Sequence, residues 1–231
     1  MFYNKWSKLL IITLFLTCCN REKANSNAGG GPDGPPDSAV EIGKPLPAWQ
    51  EGYLDIHAVN TGRGECTFLI LPDGTTMMVD AASSLIEPDY EYPPPPKKPN
   101  DNISSGKGIA NYIRHFLPEF NKKLNYILLS HFHADHMGGT STAMPIGPGG
   151  TFRKNGVTEV GVEIPFDLIL DRGYPDYNYP IDKETTDYVA NLVKFIDWAK
   201  TTRGASAVQF EVGRNDQITL KISPSKYSGF E

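Results

Sequence analysis

Histidine and cysteine are scarce in this chain, with five and three copies in 231 residues. So few cysteines exclude a disulfide scaffold, so a hydrophobic core must hold the fold. Long apolar runs are lacking as well. The run 9–16 is too short to cross a bilayer as a permanent helix. Charge is not strongly one-sided. A net charge of −5 gives no general surface for coating nucleic acid, although it leaves room for a local basic groove. With 39% apolar and 21% charged residues, the chain has the composition of an ordinary globular protein, long enough for one domain plus appendages.

The first appendage is an address. Lys5 and Lys8 precede the apolar run 9–16, the layout of a signal peptide. The run ends Leu16-Thr17-Cys18-Cys19, which resembles a bacterial lipobox. Cys19 is the expected lipidated N-terminus, with Cys18 as the alternative, or an ordinary signal peptide with incidental cysteines. Lipidation at Cys19 would hold the protein to a membrane of the cell envelope, facing the periplasm or the surface. Only Cys66 would then remain, too few for an internal disulfide, and its apolar surroundings make it a small core residue. Residues 20–50 are rich in Asn, Gly, Pro and Ser without periodicity, and read as a flexible linker. The division expected is therefore signal peptide 1–19, linker 20–50 and a domain from 51 to 231.

Within the domain, Leu54, Ile56 and Ala58 alternate with Asp55 and His57, a strand signature. Residues 66–71 and 75–79 read as two more strands around the Pro72-Asp73-Gly74 turn. His57 reads as a strand histidine satisfied by its neighbours. Residues 86–102, with Pro93 to Pro96, read as an extended loop that either walls a substrate cleft or is a surface insertion. A helix is expected from Ser104 or Ser105 to about Phe116, with His115 at its surface. Residues 124–129 form a buried strand. Beyond them the pattern predicts a short strand near 157–162, strands at 166–170, 207–212 and 217–222, and a strong helix over about 183–202 stopped by Gly204. The segment from Asp171 to Pro180 alternates tyrosine with proline. Its rings could stack on a sugar or base, or on each other.

The chemistry is concentrated in Ser130-His131-Phe132-His133-Ala134-Asp135-His136-Met137-Gly138-Gly139, at the end of the buried strand. Three imidazoles and a carboxylate within six residues form a donor set suited to zinc. His131 and His133 are two apart and project to one side of an extended segment. Asp135 and His136 are adjacent and are expected to point apart, as two metals sharing a site require. Gly138 and Gly139 are expected to start a short helix close to the metals.

H-x-H-x-D-H after an apolar strand resembles the metallo-β-lactamase superfamily. The turn Asn60-Thr61-Gly62-Arg63-Gly64-Glu65 and the hairpin ending Val79-Asp80-Ala81 are similar to its competence-protein (ComEC-type) branch. That branch usually carries aspartates where Asn60 and Glu65 stand, and a glycine where Ala82 stands. The resemblance implies an α+β fold, an αββα sandwich of which this chain holds the N-terminal half and part of the middle. It implies two zinc ions, one bound by His131 and His133 and the other by Asp135 and His136. Asp135 would orient the attacking water and accept its proton, and Asp80 would anchor a ligand loop from behind. The superfamily completes its sites with two later histidines and a bridging aspartate. No histidine follows His136, so a fragment is expected, and Asp171 or Asp176 could serve as the bridging acid.

The function implied is zinc-dependent hydrolysis of a phosphodiester or nucleotide-type small molecule through metal-activated water. Lactam or lactone hydrolysis is the rival. A surface lipoprotein that binds a metal or a partner without turnover is the alternative from another class.

Overall fold

Three short strands open the domain: β1 (Asp55–Ala58), β2 (Thr67–Ile70) and β3 (Thr76–Val79). They pair antiparallel in sequence order. Gly74, at φ +87°, allows the β2–β3 turn, and Asp73 Oδ1 accepts the Thr75 amide there at 2.9 Å. The computed structural model describes residues 42–62, 64–82, 100, 102–178 and 186–230. The signal peptide, Cys19, most of the linker, the proline loop at 93–96 and the start expected for the strong helix lie outside them. Residues Pro47–Glu231 form one compact unit.

From β3 the sheet continues in parallel. Helix α1 (Ser105–Phe116) crosses to β4 (Leu124–Leu128), which pairs parallel with β3. β5 (Phe166–Asp171) and β6 (Ser206–Gln209) add on in the same direction. The six strands lie in the order β1-β2-β3-β4-β5-β6. Parallel neighbours need crossovers, and helices supply them. A mixed sheet with several helices agrees with the α+β expectation.

Register sorts the side chains onto two faces. His57, Phe68, Met78, Ile127, Ile169 and Ala207 form one row across all six strands. This row meets α1, α3 (Val157–Glu163) and α4 (Asp187–Trp198), whose Ile109, Ile113, Val160, Leu192 and Phe195 complete the main core. Each such buried side chain contributes roughly 1.5–3 kcal/mol. The opposite row, one residue along, is Ile56, Leu69, Met77, Tyr126 and Leu168. Ile56 and Leu54 are exposed and His57 is buried, so β1 turns its aliphatic side chains away from the helices.

Two elements differ from the sequence expectation. Residues 157–162 form helix α3 rather than a strand. Val157, Val160 and Gly161 recur at helical spacing, and the Asn155 and Thr158 backbone and hydroxyl groups bond each other at the start of the turn. Gly161 leaves room for Phe195, and Gly106 of α1 for Glu159. Residues 217–222 are not a strand. Their amides are taken by side chains of the sheet: Thr219 N donates to Tyr126 Oη, Lys221 N to Thr75 Oγ1 and Ile222 N to Asp73 Oδ2. This segment lies over part of the second face, and Ile218 packs there with Leu69, Val79, Leu128 and Leu168. The strong helix ends as expected, continuing as a π-helical turn (Ala199–Arg203) before Gly204 at φ +69°. β6 is shorter than expected, and Val212 is exposed.

Candidate metal centre

β4 runs out of the sheet into the histidine motif at its carboxyl end, where ligands of such sheets gather. Asp135 and His136 sit on α2 (Ala134–Met137), a single turn. Gly138, at φ +90°, follows that turn, so the glycine pair ends the helix and does not start it. Gly138 also lies against Gly156, where a Cβ would clash with backbone.

The side chains converge. His131 Nε2 lies 3.1 Å from His133 Nδ1, and the His131 and His136 ring centres are 3.9 Å apart. Two nitrogens bound to one tetrahedral zinc at ordinary bond lengths stand about 3.3 Å apart. The His131–His133 spacing fits that bite. Asp135 Oδ2 lies 3.9 Å from His136 Nε2, so these adjacent side chains approach each other at their tips and do not point apart. That spacing is wider than one tetrahedral bite. Among the described residues, no three or more His, Cys, Asp or Glu side chains close a complete metal cage. The donors present suit a divalent ion in type and in one spacing, and leave coordination positions open.

Behind the donors stands Asp80, at the end of β3 and buried. Its φ of +58° turns the side chain back across the end of β4. Oδ1 accepts the Ser130 amide at 2.9 Å, and Oδ2 accepts the Ser130 hydroxyl at 2.6 Å. His136 Nδ1 lies 2.8 Å from the same Oδ2. A proton on Nδ1, donated to Asp80, leaves the Nε2 lone pair free for a metal. Ser130, which sequence reasoning passed over, also lies 3.1 Å from His131 Nδ1. Its place directly before H-x-H was the available signal.

The Thr61–Glu65 turn clamps α2 from the other side. Glu65 N donates to the Asp135 carbonyl at 2.9 Å, Ala81 N to the His136 carbonyl at 2.7 Å, and Ala82 N to Glu65 O at 2.9 Å. Gly64, at φ +86°, is required because a Cβ would overlap the Asp135 carbonyl. His133 is exposed and His131, Asp135 and His136 are half-buried, so the donors are open to solvent. Burial, with His136 and His133 nearby, holds the His131 imidazole below its ordinary pKa against the pull of Asp80 and Asp135. It is thus biased toward the neutral, metal-binding form.

The chain matches the family model of the metallo-beta-lactamase superfamily over residues 61–189, more than half its length. It belongs to that superfamily. No curated protein matches the chain. The matched span of this metallo-β-lactamase-superfamily chain holds the glycine turn, Asp80 and all four motif donors. Membership points to metal-dependent hydrolysis.

The remaining sequence candidates fall elsewhere. Asp171 is fully buried, with Oδ1 accepting the Gly173 and Tyr174 amides at 2.7 and 2.8 Å and Oδ2 accepting the Tyr177 hydroxyl at 2.8 Å. It ties down its own loop, and burial raises its pKa despite these bonds. Asp176 is exposed. Tyr177 packs on Phe132 at 5.7 Å, so this ring of the tyrosine loop stacks within the protein. His57 lies among Phe68, Tyr112 and Phe116, with Nδ1 3.1 Å from the Tyr112 hydroxyl and Nε2 without a hydrogen-bond partner among the described residues. His115 is exposed at the end of α1. Cys66 is buried and unpaired, and burial pushes its thiol up to about 12.

Proposed function

We propose that this chain is a zinc-dependent hydrolase of phosphodiester or nucleotide-type substrates, of the competence-protein type. The observation that carries the reading is the His131–His133 nitrogen pair, 3.1 Å apart and open to solvent, with His136 held on Asp80 beside it. His131 and His133 would hold one ion, and Asp135 and His136 would contribute to a second. Bound divalent ions lower the pKa of water to about 7 and neutralise phosphate oxygens. The chain's own part is to present the donors, to fix the His136 tautomer through Asp80, and to take the water proton on the half-buried Asp135 carboxylate.

The apolar second face supports a further part of this reading. Leu69, Val79, Leu128, Leu168 and Val208 remain only partly buried there. On the αββα reading a second sheet covers them and brings the missing ligands. Lipidation at Cys19 would place the enzyme at the cell envelope. Among the described residues no helix is long and apolar enough to cross a membrane.

Turnover of bis(p-nitrophenyl)phosphate and of a chromogenic β-lactam, each with added zinc, tests the substrate class. Phosphodiester turnover is expected, and turnover of the lactam alone overturns the reading. The open coordination favours one second reading, a lipoprotein that binds metal or a partner without turnover. Zinc bound at full occupancy with neither substrate turned over would establish it.

A further inference from the structure

We infer that Arg172 is the residue that recognises the anionic group of the substrate beside the His131–His133 pair. The inference rests on the phosphodiester reading above and assigns its specificity to one side chain. Arg172 leaves the end of β5 level with the motif. Leu170 pairs with Leu128, and Leu129 N donates to Leu170 O at 2.9 Å, so the two strands end together. The Arg172 guanidinium carbon lies 5.5 Å from the ring centre of Phe132, the residue between His131 and His133.

That platform is fixed. Phe132 is buried and packs against Tyr177, whose hydroxyl is held by Asp171. A Cβ at Gly173 would clash with both Phe132 and Tyr177, so the glycine after Arg172 permits the stack. The Arg172 carbonyl is held in turn by Gln209 Nε2 at 3.0 Å.

The cation itself is left unneutralised. Arg114 pairs with Glu163, and Arg214 with Asp216 and Glu211. Arg153 and Arg203 donate to the Met144 and Val162 carbonyls. The exposed Arg172 guanidinium makes no hydrogen bond or ion pair among the described residues. A planar, weakly hydrated guanidinium, orientated by an aromatic face, matches the paired oxygens of a phosphodiester. Cation–π contact with the buried ring holds it in place at low cost, because the ring face attracts the charge without occupying its N–H donors.

The test uses the full chain as wild type, Arg172→Met and Arg172→Lys. Binding of dimethyl phosphate, an inert diester monoanion, is followed by ³¹P line broadening with zinc and again with EDTA. Circular dichroism of the same samples reports folding. Wild type is expected to bind in both conditions. Arg172→Met should weaken binding about tenfold or more, and Arg172→Lys, which keeps charge without the fork, should fall between. In turnover of bis(p-nitrophenyl)phosphate, Arg172→Met should raise KM with little change in kcat, leaving turnover of neutral p-nitrophenyl acetate as in wild type. Wild-type affinity in folded Arg172→Met, or no binding by wild type, overturns the assignment. If wild type binds the diester through Arg172 but turns none over, the hydrolase reading fails and the anion site stands. If wild type turns the diester over and Arg172→Met matches it, the hydrolase reading stands and the anion site fails.

Discussion

Oδ2 of the buried Asp80 lies 2.8 Å from Nδ1 of the half-buried His136. The carboxylate reaches it because Asp80 adopts a left-handed backbone, φ +58°, a conformation that costs of order 1–3 kcal/mol for a residue other than glycine. The strained residue is thus the one that orients a metal donor. Asp80→Ala removes that orientation and the anchor of Ser130 together. Zinc affinity, measured by competition with a chromophoric chelator, should fall about 10–100-fold. An unchanged affinity would show that His136 needs no such support.

The Asp171–Tyr177 bond secures the loop packed against Phe132. Tyr177→Phe keeps the ring and leaves Oδ2 of a fully buried carboxylate short of a donor, a loss of about 1–3 kcal/mol. Burial raises the Asp171 pKa above its unfolded value, so the stability this group contributes is present below about pH 3.9 and is lost as pH rises through the folded pKa. The missing hydroxyl bond favoured the ionised form. The Tyr177→Phe penalty should therefore be larger at neutral pH than in acid, as read by urea denaturation at both. A penalty independent of pH would mean the hydroxyl does not serve the carboxylate.

His57 gives the opposite dependence. Burial among three aromatic rings lowers its pKa, with Asp55, 4.0 Å away, working the other way. As pH falls below about 6.5 the unfolded chain takes up this proton first, so stability drops until the folded pKa is reached. His57→Phe should flatten that part of the stability–pH curve relative to wild type. Parallel curves for the two proteins would place the charged form of His57 in the folded state without penalty.

The sequence exposed the parts that rest on short-range pattern. The β2–β3 hairpin was legible from Pro72-Asp73-Gly74 between alternating runs, and the motif from its own residues. Residues 157–162 misled because a short apolar run has no period that separates strand from buried helix, and contact with Phe195 and α1 decided it. Residues 217–222 misled because the bonds that hold them come from Thr75, Asp73 and Tyr126, about a hundred or more residues away. Facing was hidden at β1, where Ile56 points away from the helices because Leu69 opposite does so. At the site, spacing gave the four donors. Convergence of Asp135 with His136, the role of Ser130 and the Arg172–Phe132 contact depend on tertiary placement.

The central claim is that His131, His133, Asp135 and His136 bind a divalent metal. Elemental analysis after dialysis against zinc and then metal-free buffer tests it, with wild type beside a His131→Ala/His133→Ala variant. The account predicts at least one zinc per wild-type chain and close to none in the folded variant. Less than one zinc per wild-type chain, or equal zinc in the two proteins, would contradict it.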